Sequence, residues 1–137
     1  MKALLLTLSL LACAPRQGPW VVSGADPALS AQALALVDAA KVVMPGSYGL
    51  THGGRIFLAP DIWALCYPGS QAPPRYVLTG CEGQGAVYVR WPLGACPDLT
   101  CSALPHELGH LGLNAPSDDQ ANAMGLLIVQ EFRRAVK

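Results

Sequence analysis

The chain has 137 residues, enough for one domain with one modest core. It is 52% hydrophobic and 13% charged, and its nine basic and nine acidic side chains cancel. That balance offers no basic field for nucleic acid and no like-charged interaction tail.

In chain order, Met1-Lys2 is a short positive start and Ala3 to Leu11 an apolar run too short to span a bilayer. Leu10-Leu11-Ala12-Cys13 resembles a bacterial lipobox. The resemblance implies a lipoprotein signal peptide over 1–12, lipid on Cys13, and an outer-membrane anchor facing the periplasm. Ala14 follows the cysteine in place of the aspartate associated with inner-membrane retention. Ordinary secretory cleavage near Ala14 is the alternative.

Residues 13–24 read as a tether and 25–137 as the folded domain. Asp26-Pro27 is an N-cap followed by proline at the first helical position. Leu29, Ala33, Leu36, Val37, Ala40 and Met44 then recur at helical spacing, predicting a helix over 27–43 halted by Pro45-Gly46. A short strand follows at Arg55–Ala59, ended by Pro60, and one helical turn is expected near Ile62–Leu65. Arg75–Thr79 and Ala86–Trp91 read as the strands of a hairpin, with Gly80–Gly85 as its turn. Ser102 is the expected N-cap of a helix ending near Gly112–Asn114, and a last helix is predicted from Asp118 or Asp119 to Ala135. The fold class predicted is α+β: a small, mainly antiparallel sheet covered by an N-terminal helix, a central helix and a C-terminal helix.

Without Cys13, four cysteines remain: Cys66, Cys81, Cys96 and Cys101. An even number in an exported chain reads as two disulfides with three possible connectivities. Sequential pairing, closing two short loops, is the one expected. A zinc site built from these cysteines is the competing reading, but no C-x-x-C spacing occurs.

The central helix carries the chemistry. His106, Glu107 and His110 stand in the spacing H-E-x-x-H and use two of the three histidines in the chain. Residues i and i+4 share a helix face, so both imidazoles can reach one zinc ion with Glu107 beside them as general base. A catalytic zinc takes three protein ligands and keeps one position open for water. No histidine follows His110, so the candidates for the third ligand are Asp118, Asp119 and Glu131.

The stretch from His106 through Asp119, with Met124 beyond it, resembles the zinc helix and following turn of the zincin metallopeptidases. In metzincins a third histidine falls where this chain has Pro116, which cannot ligate. Asp118 and Asn122, four residues apart, are similar to the acidic ligand and the histidine-orienting residue of gluzincins. The resemblance implies zinc held by His106, His110 and Asp118, with Glu107 as base and Asn122 steadying a histidine.

The function expected is a lipid-anchored zinc metallopeptidase of the bacterial cell envelope, monomeric and acting on a peptide or protein substrate. The peptide would lie along a sheet edge offered by Arg55–Ala59 or Ala86–Trp91. Tyr48, His52 and Tyr88 are the candidates to stabilise the oxyanion. The alternatives are a zincin-like lipoprotein that binds metal or a partner with little catalysis, and a disulfide-stapled envelope lipoprotein in which the motif is accidental.

Overall fold

The structure is a computed structural model that describes residues 19–75 and 77–137. The expected signal peptide, Cys13 and the first part of the expected tether lie outside the described residues. The elements in order are β1 (Trp20–Ser23), α1 (Pro27–Val43), α2 (Tyr48–Thr51), β2 (Gly54–Ala59), α3 (Trp63–Cys66), β3 (Gly80–Gly83), β4 (Ala86–Arg90), a 3₁₀ turn (Leu99–Cys101), α4 (Leu104–Gly112) and α5 (Asp118–Ala135).

The α+β class holds, but the sheet is mixed rather than mainly antiparallel. Its order is β1-β2-β4-β3; β1–β2 and β2–β4 are parallel, and only β3–β4 is antiparallel. The cause lies in residues 20–23, expected to be tether, which form β1. Helix α1 follows β1 directly, so the chain crosses over and β2 enters parallel to β1.

The hairpin also differs from expectation. Neither Arg75 nor Val77–Thr79 is in a strand: Pro73 and Pro74 cannot donate to a ladder, and Arg75 has φ of 65°. The first strand is instead Gly80–Gly83, expected as the turn. Gln84 and Gly85, with φ of 53° and 76°, make the two-residue connection, the positive φ at both central positions being that of a type I′ turn.

The alternation of β2 and β4 buries Ile56, Leu58, Val87 and Val89 beneath the helices and leaves Arg55, Phe57 and Tyr88 on the other face. Leu36 and Val37 of α1 and Leu104 and Leu108 of α4 complete this core. Each such buried aliphatic side chain contributes about 1.5–3 kcal/mol. Asp26 caps α1 as expected, accepting from the Leu29 N–H at 2.7 Å. Sequential pairing also holds: Cys66–Cys81 and Cys96–Cys101 are both bonded, with Cα atoms 6.1 and 5.8 Å apart.

Candidate metal centre

Helix α4 begins at Leu104, two residues beyond the expected cap. Ser102 acts from just outside: its Oγ accepts the Leu104 N–H at 3.1 Å and donates to the Leu99 carbonyl at 2.7 Å. Pro105 falls in the first turn, where no intrahelical N–H is lost. Leu104 and Leu108 are buried, which turns His106 and His110 to the adjacent face, towards α5.

Two glycines let α5 cross close to that face. A Cβ on Gly109 would stand 2.8 Å from the Ala121 carbonyl oxygen. A Cβ on Gly125 would stand 3.2 Å from the His106 backbone nitrogen. Ser117 starts α5 with a reciprocal cap: its Oγ accepts the Gln120 N–H at 3.2 Å, and Gln120 Oε1 accepts the Ser117 N–H at 2.9 Å. Capping is therefore done by Ser117, and Asp118 is left to face the histidines.

Asp118 Oδ1 lies 2.9 Å from His110 Nε2 and 3.6 Å from His106 Nε2. One ligand atom from each of these three residues lies within 4.8 Å of the others, so the group can hold a metal ion. Tetrahedral donors at zinc-like bond lengths lie roughly 3.3 Å apart, close to both measured separations. Two imidazole nitrogens and a carboxylate oxygen are also a donor set that zinc accepts. Asn122 Oδ1 sits 2.6 Å from His106 Nδ1. Acceptance of the Nδ1 proton there leaves the lone pair on Nε2, the nitrogen facing Asp118.

Glu107 is buried, 7% exposed, with Oε1 4.0 Å from His106 Nε2. Burial pushes its carboxyl up to about 7; His110 opposes the shift, while the Glu82 and Asp118 carboxylates add to it. Gly80 at the head of β3 packs directly on this side chain. A Cβ there would come within 3.0 Å of Glu107 Cγ and 3.1 Å of Oε1.

These residues open into a cleft of ≈ 610 Å³ that Thr79, Gly80, Tyr67 and Ser102 also line. Asp119 stands outside the group that could hold a metal ion. Glu131 does too, and it pairs with Arg134, whose Nε donates to it at 2.9 Å and whose guanidinium holds its carboxyl below the usual range. Tyr48, His52 and Tyr88 do not line the cleft. Tyr48 stacks on His52 with centroids 4.9 Å apart, and Tyr88 stacks on Phe57 on the opposite sheet face. The only phenol in the cleft lining among the described residues is Tyr67, which the sequence did not single out. It follows Cys66, whose bond to Cys81 ties it to β3 beside Gly80.

The sheet edge differs from expectation as well. Strands β2 and β4 are paired on both sides, so neither has a free edge; the one next to the cleft belongs to β3. No family model, no curated protein and no solved structure matches this chain significantly.

Proposed function

We propose that the chain is a zinc-dependent peptidase, with His106, His110 and Asp118 holding the ion and Glu107 as general base. The observation that carries this reading is the pairing of a buried carboxylate with a cluster of three metal donors in one open cleft. Zinc bound there supplies Lewis acidity, polarising an amide carbonyl and lowering the pKa of water.

The residues divide the remaining work. Glu107 takes the proton of the attacking water and returns it to the leaving nitrogen, and a carboxyl raised to about 7 suits both transfers near neutrality. Asn122 fixes the ring of His106. The free side of β3 offers main-chain N–H and C=O groups to an extended peptide, and Gly80 admits it close to Glu107. Tyr67 offers an O–H to the developing oxyanion.

The two disulfides suit an oxidising compartment, consistent with anchorage to the bacterial envelope through lipid on Cys13. Among the described residues no helix is long and apolar enough to cross a membrane.

The test is cleavage of a mixed peptide library by the zinc-loaded protein and by Glu107→Gln. Cleavage by the wild type that falls at least about a hundredfold in the variant supports the assignment. Equal cleavage by both proteins contradicts it. A second reading, metal binding without hydrolysis, is favoured by one observation: the Asp118 side chain is 83% exposed. Zinc binding with no cleavage by the wild type selects that reading.

A further inference from the structure

On the sheet face opposite α1 and α4, Arg55 shares a row with Ala86 and Gly83, and Phe57 and Tyr88 stand together in the next row, which continues to Cys81 and its bond to Cys66 of α3. The Phe57 and Tyr88 rings are stacked, with centroids 5.1 Å apart and planes 15° from parallel. They form one wall of a cleft of ≈ 410 Å³ whose rim includes His52 and Gln84. This cleft lies across the sheet from His106, Glu107 and His110 and shares no lining residue with theirs.

Three features suit it to a ligand. Arg55 is exposed and, among the described residues, makes no ion pair. The cleft lining contains no carboxylate, so the charge of Arg55 is uncompensated there. Glu82, the one acid of β3, pairs with Val87 in the alternate register and lines the adjoining cleft rather than this one. Gly83 is not required by its backbone, since its φ is not positive, nor by packing, since a Cβ there would meet nothing within 4 Å. With Ala86 it forms a low floor that keeps the space beside the aromatic wall open. The volume falls within the range of pockets that enclose small organic molecules.

The geometry points to a binding site for a small ring-bearing carboxylate: the ring packs against the free outer face of the Phe57–Tyr88 stack, and the anion pairs with Arg55. A flat aromatic face favours an offset-stacked ring, and a guanidinium binds a carboxylate through two parallel N–H donors. The pairing sets a selectivity order in which neither half alone suffices.

The test titrates the full chain with phenylacetate, with neutral phenylacetamide and with inorganic phosphate, following residue-resolved nuclear magnetic resonance shifts. Phenylacetate is expected to move the Tyr88 ring and the Gln84 and Gly85 amides saturably, and to bind roughly tenfold more tightly than either other probe. Arg55→Gln is expected to weaken it by a similar factor, and Tyr88→Leu and Gly83→Val to weaken it while both disulfides stay formed. The site is overturned if phenylacetate gives no saturable shift, if either control probe binds equally well, or if Arg55→Gln leaves the affinity unchanged. Shifts confined to His106 and His110 would overturn it too, because they would place the carboxylate at the metal cluster.

Discussion

His106 on α4 and Asn122 on α5 are joined through Nδ1 and Oδ1 at 2.6 Å, across 16 residues of sequence. The contact sets which imidazole nitrogen faces Asp118. Removing it leaves the donors in place but frees the ring to rotate and to change tautomer. Asn122→Leu is therefore expected to weaken zinc binding about 10–100-fold, and Asn122→Asp to retain it. Competition against a chromophoric chelator measures both, and unchanged affinity in Asn122→Leu would remove Asn122 from the site.

The crossing of α4 and α5 makes a separate prediction. A methyl at position 109 meets the Ala121 carbonyl oxygen at 2.8 Å, and backbone cannot swing aside as a side chain can. Gly109→Ala should cost about 1–3 kcal/mol of stability. It should also weaken metal binding, because the displaced helix carries Asp118 and Asn122. Thermal unfolding and chelator competition on the same variant check both effects.

Loop length ranks the two disulfides. Cys66–Cys81 spans 15 residues and Cys96–Cys101 spans five. On chain entropy alone, loss of the first costs about 3 kcal/mol and loss of the second about 2 kcal/mol. The paired Cys→Ser variants, compared by denaturant unfolding, should follow that order. On the proposed peptidase reading, only the first should also impair hydrolysis, since it holds Tyr67 and β3 beside the cleft.

The buried carboxylate gives the metal-free protein a pH dependence. Glu107 has an ordinary value of 4.5 and is raised to about 7 in the fold, chiefly by burial. The folded state thus binds the proton more tightly than the unfolded state does. This contribution is fully present below about 4.5 and is lost as pH rises through about 7. In chelator, wild-type stability should fall between pH 5 and pH 8 more steeply than that of Glu107→Gln. Parallel curves for the two proteins would show that Glu107 titrates normally.

The parts of this fold that were legible in the sequence are those set by local chemistry. Asp26-Pro27 and Pro45-Gly46 bracket α1, and apolar spacing fixes the faces of α4 and α5. Short spacing between cysteines favoured the pairing observed. The sheet was harder to read because pairing is non-local. Trp20–Ser23 is only four residues long, and a strand that short carries little periodicity. Arg75–Thr79 looked like a strand by composition, yet the prolines before it and the turn conformation of Arg75 exclude it. At the site, the H-E-x-x-H spacing marked the helix face. The approach of Asp118 depends on Gly109 and Gly125, which read in sequence only as weak helix formers. Tyr67 was invisible because a disulfide, not sequence proximity, brings it to the cleft.

The central claim is that His106, His110 and Asp118 hold one zinc ion. Metal analysis of the full chain beside His106→Ala, Asp118→Ala and Glu131→Ala tests it most directly. The prediction is about one zinc per chain in the wild type and in Glu131→Ala, a large loss in His106→Ala, and weakened retention in Asp118→Ala. Metal content unchanged in all three variants would contradict the site.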